Sequence, residues 1–325
     1  MTPRATEAIV QGILSGQTFA LARAISLVED GDPAAREIVR AVHPRAGRAW
    51  LIGVTGPPGA GKSTLVDALA GAYREVYQRV GIIAVDPTSA FSGGAILGDR
   101  IRMQRHTSDP GVFIRSMATR GHFGGLSRAT SDVADLLDAA GFGIILVETV
   151  GVGQDEVEIV RAADTVLVVL VPGLGDDIQA IKAGLLEIAD IYVLNKADRE
   201  GVERLESEIA SMLSLNEEFP RRRPAIVRTV AVSGTGLDAL VEAIGRHRSD
   251  SEASGSAEAR RRERSRWRLV DLVRERVLRW ASDSTEGDGA LEATAARVYR
   301  REIDPYEAAD SILGAFAARE RRGPV

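Results

Sequence analysis

From residue 50 onward the chain alternates short, unbroken apolar runs with longer segments whose apolar residues recur three or four positions apart. The runs are 51–55, 82–86, 112–116, 144–148, 166–171, 191–195 and 227–232, and Val, Ile, Leu and Ala dominate them. A strand with one wet face would alternate apolar and polar residues. Unbroken runs this short instead suit strands buried on both faces, in a parallel sheet covered by helices. The pattern predicts an α/β fold with a mostly parallel central sheet flanked by helices. Ahead of it, Ile9, Ile13, Leu21, Ile25 and Val28 recur at roughly helical spacing across residues 5–46. Within that stretch, Asp32-Pro33 reads as an N-cap and a first-turn proline that open a further helix.

Residues 247–258 are small and polar and read as a linker. Beyond them Trp267, Val270, Val273, Val277 and Trp280 form an apolar stripe on a basic segment. After a Gly/Asp-rich break at 286–289, residues 290–302 and 305–319 look helical, the second starting at Asp304-Pro305. The expected organisation is an N-terminal helical segment (1–47), a sheet domain (48–246), the linker (247–258) and a C-terminal helical arm (259–325). A helical hairpin too small for its own core needs a partner surface, which suggests a homodimer through the arm. The basic run 260–268 reads as a solvated helix face, with a patch for nucleic acid or an acidic partner as the alternative.

Composition narrows the chemistry. Only 5% of the 325 residues are aromatic, so the core must be aliphatic. The net charge of −5 gives no support for bulk nucleic-acid binding. The absence of cysteine excludes disulfides and thiolate metal sites and fits a reducing cytoplasm. His43, His106, His122 and His247 are not spaced as a metal pair. No secretory signal opens the chain, and no apolar run is long enough to span a bilayer. A cytoplasmic protein with neither nucleic-acid nor membrane partners is expected.

Residues 56–63, Gly-Pro-Pro-Gly-Ala-Gly-Lys-Ser, fit G-x-x-x-x-G-K-[ST] in full, directly after an expected strand and before an expected helix. Glycines here let backbone N–H groups curl around phosphates, and the following helix N-terminus adds partial positive charge. Gly59, Ala60, Gly61, Lys62, Ser63 and Thr64 are the candidate phosphate cradle. Lys62 would reach the β- and γ-phosphates, and Ser63 would ligate Mg²⁺. Asn195-Lys196-Ala197-Asp198 follows the sixth expected strand. The Asp198 carboxylate can accept from both N1–H and the 2-amino group of guanine, whereas adenine would leave it unpaired. Ser233-Gly234-Thr235-Gly236, after the last run, is a candidate backbone contact to the guanine O6. The ligand expected is therefore GTP or GDP with Mg²⁺.

The fourth expected strand ends in Glu148-Thr149-Val150-Gly151. A carboxylate at that position is an expected partner of Mg²⁺, directly or one layer out, and Gly151 would meet the γ-phosphate. Small GTPases of the Ras type carry Asp here, with Gln immediately after the glycine to orient the attacking water. This chain has Val152 instead, with Gln154 two places on, so slow intrinsic hydrolysis accelerated by a partner is expected. Asp86 in Val-Asp-Pro-Thr and Asp99 in Gly-Asp-Arg are further carboxylates for a metal or switch role, the alternative being a cap or turn.

These strings together resemble the MeaB/ArgK family of GTPases. The marks are residues 54–64, Val85-Asp86-Pro87-Thr88-Ser89, Gly98-Asp99-Arg100-Ile101-Arg102-Met103, the stretch from Glu148 to Gln154, and Gly175-Asp176-Asp177-Ile178-Gln179-Ala180. The resemblance runs through nearly the whole chain. It implies a P-loop NTPase fold whose C-terminal helical extension makes a homodimer. It also implies a chaperone that binds an adenosylcobalamin-dependent acyl-CoA mutase of the methylmalonyl-CoA mutase type, gates B12 delivery, protects the mutase and is stimulated by it. By position, Asp86, Asp99 and Glu148 would form the acidic metal and switch set. Residues 176–182 would be an additional switch, with Lys182 a candidate for stabilising transition-state charge. Two rivals stand beside it. A nickel-delivery GTPase needs Cys/His ligands. A transport ATPase or kinase, an older label for such proteins, conflicts with the Asn-Lys-x-Asp motif.

Overall fold

The computed structural model describes residues 1–86, 106, 109–118, 125–149, 163–173, 188–215, 223–282 and 290–322. Seven strands answer the seven apolar runs: β1 (Trp50–Thr55), β2 (Val80–Asp86), β3 (Val112–Ala118), β4 (Ile144–Thr149), β5 (Thr165–Leu170), β6 (Ile191–Leu194) and β7 (Ala225–Arg228). They form one sheet in the order β3-β2-β4-β1-β5-β6-β7, every neighbouring pair parallel. Strands β1, β4, β5 and β6 are buried at every residue, which is why their sequences show no alternation. Only β7 departs from its run. It sits at the edge, half-buried, two residues earlier than the run 227–232, because an edge strand needs less apolar sequence. The remaining valines enter a turn, where Val230 bridges Thr235.

Ten α-helices appear among the described residues: α1 (Pro3–Leu14), α2 (Thr18–Glu29), α3 (Pro33–Val42), α4 (Lys62–Arg74), α5 (Gly125–Ala139), α6 (Val202–Leu215), α7 (Leu237–Ala253), α8 (Ser256–Ser282), α9 (Ala290–Tyr299) and α10 (Pro305–Arg322). Asp32 caps α3 as its sequence promises, its Oδ1 accepting from the Ala34 N–H at 2.8 Å. Odd and even strand residues divide between two layers. Leu51, Ile83, Val85, Ile145 and Val147 face a core built with α1, α2, α3 and α5. Trp50, Ile52, Val54, Ile82 and Leu146 face the core under α4 and α7. Val166, Val168, Tyr192 and Leu194 close a third cluster with α6. The N-terminal helices are thus one of the two layers over the sheet, not an appendage.

The chain divides into two compact units, Met1–Arg264 and Ser265–Val325. The stretch 247–258, expected as a linker, is helix on both sides of a turn at Ser254-Gly255. Its Ser, Ala, Glu and Arg residues suit a helix surface as well as a loop, so composition alone misleads there. Within the smaller unit, Trp280 and Phe316 meet edge to face at 5.4 Å, and Ile303 and Ala308 are buried. Asp304 Oδ1 caps α10 through the N–H groups of Tyr306 and Glu307, at 2.7 and 3.1 Å. Leu269, Val270, Leu272 and Val273 of α8 are exposed. No helix among the described residues is long and apolar enough to cross a membrane.

The amino ends of β1, β5 and β6 hold a buried polar network. Asp164 accepts from the Leu51 N–H at 2.9 Å and from Arg261 and Arg264 at 3.3 and 3.4 Å. Asp190 accepts from the Val166 N–H at 2.8 Å and takes both arms of Arg260, at 2.7 and 2.9 Å. His247 lies 3.1 Å from Asp190 through Nε2 and 2.9 Å from the Thr165 hydroxyl through Nδ1. Trp50 Nε1 donates to that hydroxyl at 2.9 Å. Burial pushes the Asp190 carboxyl up, but the hydrogen bonds from His247 and Arg260 outweigh it and hold the group well below the usual carboxylate range. Arg261 and Arg264 are therefore tied to the buried Asp164 and Arg260 to the half-buried Asp190, where a solvated helix face was expected.

Candidate functional site

The phosphate-loop string leaves β1 at Thr55 and enters α4 at Lys62. Two of its glycines are fixed by what surrounds them. Gly56 has φ +140, and a Cβ there would lie 2.2 Å from the Val169 carbonyl oxygen. Gly61 has φ +89, and a Cβ there would lie 2.5 Å from Asn195 Nδ2. Any side chain at either position forces the loop away from β5 or from Asn195. Gly61 is also the N-cap of α4 and supplies no side-chain cap, so the helix's first turn keeps its partial positive charge toward the loop. Thr64 is exposed on that turn, and Ala60 is fully buried.

Lys62 is 6% exposed, and its Nζ donates to the carbonyls of Gly56 at 2.7 Å and Pro57 at 3.0 Å. The ammonium thus already points into the loop, toward oxygens of the kind that a bound phosphate would offer it. Ser63 Oγ donates to Glu148 Oε1 at 2.6 Å. Glu148 sits on β4 level with Val54 of β1 and Ala84 of β2. Asp86 ends β2 two residues beyond Ala84, at the same edge of the sheet. A hydroxyl and a carboxylate in contact beside a phosphate loop are hard oxygen donors, the ligand type that Mg²⁺ takes, so the residues present fit that ion.

Asn195 joins the loop to the other end of the site. Its Nδ2 donates to the Ala60 carbonyl at 2.8 Å. Its Oδ1 accepts from Thr229 Oγ1 at 3.2 Å and from the Ala231 N–H at 3.1 Å. Lys196, at φ 56, turns its chain back so that Nζ donates to the Gly59 carbonyl at 2.8 Å. Asp198 follows in an exposed turn. Ser233, Gly234 and Thr235 form a second exposed turn, in which Ser233 and Gly234 N–H both reach the Val230 carbonyl at 3.0 Å. The strands thus bring Lys62, Ser63, Glu148, Asn195 and Lys196 into one bonded group at the carboxyl edge of the sheet. Asp99, Gly151 and Lys182 lie outside the described residues, as does the side chain of Asp86.

Two supports went unread in the sequence. Thr229 orients Asn195, and the Thr149 hydroxyl donates to Thr55 at 3.1 Å beneath the site. Thr229 belongs to no motif, and Thr149 and Thr55 sit in motif strings without a role read for them. The only signal is a polar residue at the end of an apolar run.

Residues 21–286 match the family described as methylmalonyl-CoA mutase-associated GTPase MeaB. A protein of Pyrococcus abyssi classed among GTPases is 50% identical over 308 residues, covering 94% of this chain and 95% of its own length. The GTPase ArgK of Escherichia coli K12 is 33% identical over 305 residues, covering 91% and 92%. The crystal structure of an LAO/AO transport system kinase superposes with a TM-score of 0.71 at 27% identity, covering 98% of this chain and 99% of that one. With an all-parallel sheet, a formed phosphate loop and these likenesses along its length, the chain belongs to the MeaB family of methylmalonyl-CoA mutase-associated GTPases.

Proposed function

We propose that this chain binds GTP with Mg²⁺, hydrolyses it slowly, and uses the cycle to escort an adenosylcobalamin-dependent acyl-CoA mutase in the cytoplasm. The observation that carries the reading is the bridge from Asn195 to the Ala60 carbonyl, which ties the base-reading turn to the phosphate loop. Lys62 holds the β- and γ-phosphates, and the N–H groups of residues 59–64 wrap them. Asp198 accepts from the guanine edge, and the turn at 233–235 contacts O6. Ser63 and Glu148, with Asp86 and Asp99, hold Mg²⁺. The ion, when bound, neutralises charge on the β- and γ-phosphate oxygens. Gly151 meets the γ-phosphate, and Lys182 stabilises charge on the transferring group once the partner has docked.

The mutase role rests on the family's name and on Val152, which stands where a water-orienting Gln would serve fast hydrolysis. The exposed Leu269, Val270, Leu272 and Val273 of α8 support a second copy of the chain as partner there. Turnover of GTP measured with and without a cognate B12 mutase tests the reading. Stimulation of at least about tenfold is expected, with the two proteins co-eluting. Unchanged turnover and no complex with any such mutase would overturn the escort role and leave the GTPase standing. ATP competing equally with GTP would favour a transport kinase instead.

A further inference from the structure

At the amino edge of the sheet, away from the phosphate loop, lies a cleft of about 320 Å³. Leu14, Ala49 and Phe142 give it apolar walls, and Arg45 and Arg48 stand at its mouth with Asp138 between loop and helix. Among the described residues neither guanidinium has a hydrogen-bond or ion-pair partner. Behind the cleft, Arg79 lies 4.8 Å above the Phe142 ring. Its two arms donate to the neutral carbonyls of Ala140 at 2.6 Å and Gly16 at 2.5 Å. Among the described residues it meets no carboxylate, and burial lowers its pKa below the ordinary arginine value. The one acid, Asp138, already accepts through Oδ2 from the N–H groups of Gly47 at 2.5 Å and Arg48 at 2.9 Å.

The cleft's lining thus carries two guanidinium groups and one carboxylate, a local excess of one positive charge in a chain whose net charge is −5, with Arg79 behind it. We propose that this cleft is a second ligand site, for a small phosphate monoester carrying an apolar group. A phosphate monoester bears about −1.5 to −2 at neutral pH, a charge of the sign that Arg45 and Arg48 attract. Two forked guanidiniums suit its oxygens better than point charges would. The apolar walls take an alkyl or aryl substituent. The volume is at the lower end for ligand pockets, which limits the ligand to a small molecule.

The site is separate from the phosphate loop. Strand β1 begins at Trp50, next to the cleft's Ala49, and ends at Thr55, next to Gly56. Its length sets the two sites about 20 Å apart, so both can be filled at once. A ligand here would also join α1, the 45–49 segment and the turn before β4, and so stabilise the N-terminal layer against the sheet.

The test uses the full chain saturated with GDP and Mg²⁺, so that the phosphate loop is filled. Calorimetric titration with phenyl phosphate is expected to show one site per chain, at least about tenfold tighter than for inorganic phosphate or benzyl alcohol. The unfolding temperature should rise with phenyl phosphate concentration. The double substitution Arg45→Ala/Arg48→Ala, at two exposed positions, should weaken this binding at least about tenfold and leave GDP affinity unchanged. No binding of phenyl phosphate to the GDP-loaded protein, or binding that survives the double substitution, overturns the site. Benzoate binding as tightly as phenyl phosphate overturns its assignment to phosphate.

Discussion

The two edges of the sheet use the same residue types to opposite ends. At the amino edge, Asp164 and Asp190 have their oxygens filled by arginines and backbone N–H groups, Asp164 buried and Asp190 half-buried behind them. At the carboxyl edge, Lys62 and Lys196 are held by neutral carbonyls, and Asp198 is exposed. A carboxylate saturated from within its own chain has nothing left for a ligand. One that projects from a turn fixed by its neighbours keeps its lone pairs available. Whether a charge already has its partners within the chain, not residue type, separates structural charge from ligand-facing charge, and substitutions can break that division from either side.

The largest effect is expected at the carboxyl edge. Asp198→Asn removes the acceptor for two hydrogen bonds to a charged group, each about 1.5–3 kcal/mol, so GTP affinity should fall by about 3–6 kcal/mol. Xanthine nucleotides should now bind better than guanine nucleotides, because the amide can donate to the 2-oxo group. Competition binding measures both. The exposed position of Asp198 means that the unfolding midpoint should not move. Unchanged GTP selectivity would remove Asp198 from the base site.

Next comes Asp190→Ala at the amino edge, which leaves Arg260 and His247 without their acid. Breaking a buried pair from one side costs about 3–5 kcal/mol, read by denaturant unfolding. Nucleotide affinity of the folded protein should stay within about twofold, since the network lies a strand's length from the loop. The pH dependence has a definite sign. The Asp190 carboxyl is held below its ordinary value in the folded chain, so its contribution is complete above the unfolded pKa of about 3.9. That contribution is lost as pH falls further, toward the lower folded value. The substituted protein should therefore show a shallower acid limb below about pH 4 than the parent.

Most of the carboxyl edge was legible in the sequence because its residues sit in contiguous strings with fixed offsets. The loop at 56–63 and Asn195 to Asp198 each directly follow an apolar run that is a strand, and the turn at 233–236 follows a run of which only 227–228 is strand. The amino edge was not legible. Asp164, Asp190, His247 and Arg260 are far apart in the chain, and only strand order brings them together. His247 was set aside as ordinary and Arg260 as part of a solvated face, because a helix surface and a helix foot on buried acids share one composition. The same ambiguity turned a helix–turn–helix into an expected linker at 247–258. Residues 5–46 held a further break at Ser15–Gln17, marked in the sequence only by the Ser15-Gly16 pair, whose glycine takes φ +75.

The sharpest test of the division is Lys62, because it is a ligand-facing cation that is itself buried. Lys62→Met keeps the stem's length and its helix propensity and removes only the ammonium. If the ammonium exists for phosphate, GTP hydrolysis should fall about a hundred- to a thousandfold, the effect of losing one preorganised donor. The unfolding midpoint of the nucleotide-free protein should then stay within about 3 °C, less than the fall expected for Asp190→Ala. The Gly56 and Pro57 carbonyls lose little when the ammonium leaves, whereas a saturated carboxylate network loses its charge balance. Single-turnover hydrolysis and thermal unfolding of one preparation give both numbers. A fall in midpoint as large as that of Asp190→Ala, with hydrolysis only slightly reduced, would make Lys62 a structural charge and erase the distinction between the two edges.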